Sequence, residues 1–233
     1  SDEKLSEILQ EVISRTNFDT DMGLILFATS GPNVTYLGRD VEPTPTIGIH
    51  AFPLHFELWQ DSLKFGQKLV VAKTIAIPPE CLDPTMKVRS RIHWRIADRR
   101  VRQAHPGSSA VFADRNGYLT ETSSGNLFAL VNGELITPPA EIVLNGISRK
   151  VVMELATQLG INVREEMLSL EKALTAKEIW TSSTPYCLLP VTSLNHQPIG
   201  HGQPGPAFQQ LLQAWSDLVG VDLGRQLLDN EDS

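Results

Sequence analysis

Cysteine is scarce in this 233-residue chain: Cys81 and Cys187 are the only two, and they lie too far apart to form a CxxC motif. A redox or zinc centre of that kind is excluded, no disulfide is implied, and reduced buried thiols are the expectation. The histidines (His50, His55, His93, His105, His196 and His201) form no HExxH pattern and none lies close to a cysteine. They read as surface or turn residues, with no metal site among them. No GxSxG string is present, which removes the hydrolase nucleophile elbow. No apolar run approaches the roughly 18 residues of a membrane helix. The first residues, Ser1-Asp2-Glu3-Lys4, are polar and acidic, without signal-peptide character. Positive charge is also short: 20 Lys and Arg face 27 Asp and Glu, a net charge of −7. That balance argues against nucleic acid or an anionic membrane as the main partner, while leaving room for a local basic pocket. A soluble cytoplasmic protein is the expectation.

What is present is ordinary globular material, 41% hydrophobic and 20% charged, long enough for one large domain or two modest ones. Leu5, Ile8, Leu9, Val12 and Ile13 share one face of a helix over 4–14. Gly23 to Ala28 reads as a buried strand and Thr46 to Phe52 as another, with a Pro-, Thr- and Gly-rich loop over 33–46 between them. The pattern weakens over 54–65, which marks a connection. Lys68 to Ile77 reads as a strand. Ile92, Ile96, Ala97, Val101 and Ala104 recur at helical spacing until Pro106-Gly107. A β-rich tract follows, with turns at Asp114-Arg115-Asn116-Gly117 and at Asn132-Gly133, the latter a strong hairpin signal. A helix begins after Gly146 and can end at Gly160. Strands are expected near 178–183 and 187–194, then an amphipathic helix over 207–219 that carries Trp215. The mixture is α+β.

Gly200-His201-Gly202-Gln203-Pro204-Gly205 matches the bare GxGxxG string of dinucleotide-binding loops. Such a loop must leave a parallel strand and open the helix that receives a pyrophosphate. Here it follows the turn-like Asn195-His196-Gln197-Pro198, and the chain ends before a βαβ unit could be completed. The nucleotide reading is therefore set aside.

Two segments carry more chemistry. In the run from Tyr118 to Phe128, Glu121 ends a strand, the small polar residues Thr122-Ser123-Ser124-Gly125 follow, and an apolar strand resumes at Asn126-Leu127-Phe128. Leu144-Asn145-Gly146-Ile147-Ser148-Arg149 puts a glycine and a hydroxyl at a helix start, where unpaired N–H groups and the helix dipole attract an anion. With Lys87 upstream and Thr181-Ser182-Ser183-Thr184 downstream, the order and spacing of these segments resemble the fold-type IV pyridoxal-phosphate enzymes. That class IV aminotransferase family includes branched-chain aminotransferases, D-amino acid aminotransferases and aminodeoxychorismate lyases. Standing alone, Lys87 would be an ordinary snorkelling lysine, Glu121 a strand-end acid and Ser148 a helix cap.

The resemblance implies that Lys87 forms a Schiff base with pyridoxal 5'-phosphate and moves protons as the general base. It implies that Glu121 pairs with the pyridine nitrogen and that Leu144 lies against the ring. Ile147 and Ser148 would hold the phosphate through backbone N–H groups and the Ser148 hydroxyl, with Ser183 and Thr184 adding contacts. It further implies a homodimer acting on an amino acid and a 2-oxo acid. The expected layout is the remainder of a small N-terminal α+β domain over 1–53, a linker over 54–65 and a larger α+β domain over 66–233, with the cofactor in the cleft between the two.

The sequence also departs from the family. The N-terminal segment that ordinarily supplies an arginine to the phosphate, in a stretch resembling His-x-x-Arg-Leu, has no counterpart before Leu5. His55-Phe56-Glu57-Leu58 comes too late and lacks the arginine. An incomplete N-terminal domain, hence a fragment, is the expectation. Gly23-Leu24-Ile25 lacks the arginine and nearby tyrosine that resemble substrate-carboxylate ligands in branched-chain aminotransferases. After Lys87 the run Val88-Arg89-Ser90-Arg91 replaces the family's Asn-Tyr-Leu. Arg91 matches the lysine-to-arginine spacing of the lyase branch, although exposure is the norm for arginine and a solvated helix residue is the plain expectation. An aminotransferase, branched-chain-like, is the leading reading; a lyase of the aminodeoxychorismate type and a non-catalytic homologue are the alternatives.

Overall fold

The structure, a computed structural model, describes residues 2–32 and 44–228. The loop expected over 33–46 therefore lies, up to residue 43, outside the described residues. The chain divides into two compact units, Ser1–His55 and Phe56–Ser233.

In the first unit, helix α1 (Asp2–Arg15) packs on a two-stranded antiparallel sheet of β1 (Met22–Thr29) and β2 (Thr46–Pro53). The register pairs Gly23 with Phe52 and Phe27 with Gly48. Each phenylalanine ring lies over the glycine opposite, so closely that a Cβ at either position would meet a ring carbon at 2.3 Å. Cross-strand aromatic–glycine pairs of this kind pin the register.

The second unit holds α2 (Glu57–Phe65), β3 (Gln67–Val71), α3 (Ile92–Ala104), β4 (Ser108–Ala113) and β5 (Tyr118–Thr122). After these come β6 (Asn126–Val131), β7 (Glu134–Thr137), α4 (Ile147–Gln158), β8 (Asn162–Glu165) and β9 (Leu168–Ser169). The unit ends with α5 (Leu170–Leu174), β10 (Glu178–Ser183), β11 (Cys187–Leu194), β12 (Gln197–Pro198), α6 (Pro206–Val219) and α7 (Leu223–Leu228). The strands pair in the order β8-β7-β6-β10-β11-β3-β4-β5-β9, with β12 on β11. One further pairing, Glu121 opposite Asn126, joins β5 to β6. It closes β6, β10, β11, β3, β4 and β5 into a ring, which removes the open edges those strands would otherwise present.

Strands buried on both faces read as continuous apolar runs, and β6 is the example: every residue from Asn126 to Val131 is buried. Leu69, Val111, Leu119, Leu127, Ala129 and Ile179 form part of one core cluster. Ala97 and Val101 of α3 close a second cluster with Val70, Ala110 and Phe112. The Asn132-Gly133 turn has φ of 53° and 85°, the left-handed pair that a tight hairpin requires.

Three expectations need correction. The stretch 54–65 is not an open connection: Glu57–Phe65 is helix α2, packed on β11 and α7. Its face is hard to read in sequence because Leu63 is buried while the neighbouring apolar Leu58 and Phe65 are each 68% exposed. The strand expected over 68–77 stops at Val71, although Ala72 and Ala76 still donate backbone hydrogen bonds to Val111 and Ala113. On α3, Ile92 and Ile96 face outward, and Trp94 packs edge-on against Phe112 at 6.4 Å beside the buried Ala97 and Val101.

Candidate active site

Four stretches of the larger unit surround one cavity of about 330 Å³: residues 84–91 before α3, the end of β5 with the start of β6, the turn into α4, and the end of β10. The strand register explains the convergence. Asn126 lies opposite Glu121 on β5 and opposite Ser182 on β10, so one residue joins the acid to the hydroxyl cluster. Lys87, Glu121, Leu144, Ile147, Ser148, Ser183 and Thr184 all line the cavity.

Glu121 is the sole carboxylate on the wall. Its Oε2 accepts from the Leu144 N–H and from Asn126 Nδ2, both at 3.4 Å. Asn126 Nδ2 also donates to the Leu144 carbonyl at 2.8 Å, tying the turn before α4 to β6. Burial raises the Glu121 carboxyl to about 7, against the lowering pull of the Leu144 hydrogen bond and of Arg91 and Lys87. Lys87 is exposed at the cavity mouth, yet partial burial and then the Arg91 charge lower its affinity for a proton.

The same wall also carries donors. Gly146 precedes α4, and no side chain caps the helix start, which leaves first-turn N–H groups without intrahelical acceptors. Gly146 is required there, because a Cβ would lie 2.5 Å from Asn126 Oδ1. Ser148 is buried beside that start, and Ser182 Oγ is buried without a hydrogen-bond partner. Buried polar atoms are nearly always paired, so an orphaned hydroxyl beside an uncapped helix start marks a place for an anion. The glycine of the 122–125 loop is fixed by packing: a Cβ on Gly125 would lie 2.5 Å from the Tyr186 hydroxyl and 2.6 Å from the Ser182 carbonyl.

The sequence profile described as amino-transferase class IV matches residues 1–194. The chain belongs to the class IV aminotransferases. A branched-chain-amino-acid aminotransferase of Salmonella typhimurium is 30% identical over 187 residues, 78% of this chain and 60% of the relative. The chain thus spans about 60% of that relative's length. The crystal structure of the Escherichia coli branched-chain amino acid aminotransferase superposes with a TM-score of 0.85 at 28% identity, covering 94% of this chain and 72% of the other. The branched-chain aminotransferase of Thermobaculum terrenum, solved in its PLP-bound form, shares the fold at a TM-score of 0.81 and 20% identity, over 97% of this chain and 73% of that one.

Pyridoxal phosphate, the cofactor of the class IV aminotransferases, suits the donor set of this cavity. A phosphate would satisfy the helix start, Ser148 and the orphaned Ser182 hydroxyl, and a ring nitrogen that carries a proton would suit the lone acid Glu121.

Arg91 corrects the sequence reading. It is not a freely solvated helix arginine but a half-buried residue on the cavity wall, at the N-cap of α3. Its guanidinium donates to the Ser123 carbonyl and stacks 4.1 Å over the Trp94 ring. Asn126 and Ser182 escaped the sequence reading, although Ser182 stands inside the hydroxyl cluster that drew attention. The glycine-rich string at 200–205 does precede a helix, but the anion at that helix is the protein's own. Glu178 accepts from the Ala207 and Phe208 N–H groups, both at 2.9 Å, and from Trp180 Nε1 at 3.2 Å.

Among the described residues no helix is long and apolar enough to cross a membrane. Both cysteines are free, and burial raises the Cys187 thiol to about 11.

Proposed function

We propose that this chain is the cofactor-holding part of a pyridoxal-phosphate-dependent aminotransferase that acts, as a homodimer, on an amino acid and 2-oxo acid pair of branched-chain type. The observation that carries this reading is the convergence of Lys87, Glu121 and the uncapped start of α4 on one cavity. The bound cofactor supplies an electron-withdrawing ring that eases loss of the substrate's α-proton.

The protein's own residues divide the remaining work. Lys87, its proton held less tightly than usual, would anchor the cofactor through its amine and would accept and return a proton at Nζ. Glu121 would hold a proton on the ring nitrogen, and a cation there would in turn favour the ionised carboxylate. The Ile147 and Ser148 N–H groups and the Ser148, Ser182, Ser183 and Thr184 hydroxyls, which line the cavity, would hold the phosphate. Leu144 presents an apolar surface to the ring and is kept in place by Asn126.

A lyase reading has one observation in its favour: Arg91, at the lyase-like spacing from Lys87, lines the cavity. An absorption spectrum with pyridoxal phosphate, before and after leucine, valine or D-alanine without a keto acid, separates the readings. A Lys87-dependent band that converts to the amine form of the cofactor supports the transaminase. Release of pyruvate with the original band restored supports the lyase. A band that persists in Lys87→Ala would refute both.

A further inference from the structure

Arg91 is a cation with no countercharge in contact. Among the described residues the basic members of ion pairs include Arg15, Arg115, Arg149, Lys150, Arg164 and Lys172. Arg91 is not one of them, although it is half-buried and its cavity contains a carboxylate. Its position adds to the cost. It stands at the start of α3, the positive end of the helix dipole, four residues after Lys87. Proteins tolerate such a placement where an anion joins the group.

The guanidinium is also held in place. The Ser123 carbonyl takes one of its N–H groups and the Trp94 ring supports its face. A stacked, planar group with donors to spare suits a bidentate partner, and a carboxylate fits that fork. Arg91 also lines a second groove, with Arg89, Arg95, Arg99 and Arg102. The only acid on that groove, Asp98, is engaged by the Ala110 N–H at 3.0 Å. A chain of net charge −7 therefore concentrates positive charge along one approach to this cavity.

On the reading above, the cofactor phosphate would take its donors from the start of α4 and from Ser148 and Ser182. We propose that Arg91 binds the carboxylate of the substrate, and that the arginine groove is the path by which carboxylated substrates arrive. This rests on the aminotransferase reading and adds to it a ligand for the acid group.

The test uses the full chain loaded with pyridoxal phosphate and 4-methylvaleric acid, a carboxylate without an amine to transfer, beside its uncharged amide. The wild type should bind the acid more tightly than the amide. Arg91→Gln should weaken the acid about 30-fold, the loss expected for a charge-assisted pair, and leave the amide unchanged. Arg91→Lys should recover part of the loss, which covers the case in which the glutamine variant fails to fold. Cofactor affinity should stay within about threefold in both variants, since the donors of the phosphate are untouched. Equal acid binding in wild type and Arg91→Gln overturns the assignment, as does an Arg91→Lys variant that has lost all preference for the acid over the amide. So does a fall in cofactor affinity with acid binding intact, which would give Arg91 to the phosphate. A wild-type chain without a Lys87-dependent band removes the underlying aminotransferase reading instead, so the two failures are distinct.

Discussion

In the cofactor-free protein, Glu121 should make stability fall as pH rises. Its carboxyl holds a proton up to about pH 7, whereas in the unfolded chain it releases it near 4.5. Between those values the native state binds one more proton than the unfolded state, so stability declines with pH and the loss is complete above the native value. At about 1.36 kcal/mol per pH unit the interval amounts to about 3 kcal/mol. Partial access to solvent at the cavity lowers this to about 2 kcal/mol. Glu121→Gln removes the titration and keeps an acceptor for the Leu144 N–H. Urea unfolding of the cofactor-free wild type and variant at pH 5 and pH 7.5 measures the difference, with titrating groups remote from the cavity cancelling between the two. The wild type should lose about 2 kcal/mol more than the variant over that range. Equal losses would show that the acid is already ionised at pH 5 and that burial does not govern it. Pyridoxal phosphate, by bringing a cationic nitrogen to Glu121, should remove most of the slope from the wild type alone.

Ser182→Ala separates stability from binding. Removal of a buried hydroxyl without a partner should leave the cofactor-free protein as stable or about 1 kcal/mol more so, while pyridoxal phosphate binds about tenfold more weakly; thermal unfolding and a cofactor titration read the two effects. Glu178→Ala should be far costlier, because it strands the Ala207 and Phe208 N–H groups and Trp180 Nε1 in the interior. At 1–3 kcal/mol for each orphaned donor the loss is about 4 kcal/mol by chemical denaturation, and a loss below about 1 kcal/mol would refute the claim that this carboxylate anchors α6.

The elements legible in the sequence were those whose signal is local. Asn132-Gly133 announces its hairpin because few other residue pairs accept two successive positive φ values. β6 announces itself because both of its faces are buried. Helix α2 did not, since it is only nine residues long and the exposed Leu58 and Phe65 obscure the face formed by Trp59 and Leu63. At the site, Lys87, Glu121 and Ser148 could be named from their order along the chain. Asn126 could not, because its role arises from lying between two partner strands, and register is not written in any one segment. Arg91 was misjudged for a related reason. Its burial comes from Trp94 on the same helix and from the Ser123 loop 32 residues later, neither of which marks an arginine as special in a linear reading.

The closed ring of strands has a consequence for how the protein is made. β3 is flanked by parallel partners on both sides, β4 and β11, the second more than a hundred residues downstream. Pairings of such long sequence separation form late and slowly. A nascent chain that has reached residue 160 carries Lys87, Glu121 and the start of α4, yet lacks the β10 hydroxyls and the strand that joins them to β3. Pyridoxal phosphate would thus enter a pocket finished only once β10 and β11 have emerged and paired, so that cofactor loading would report closure of the strand ring.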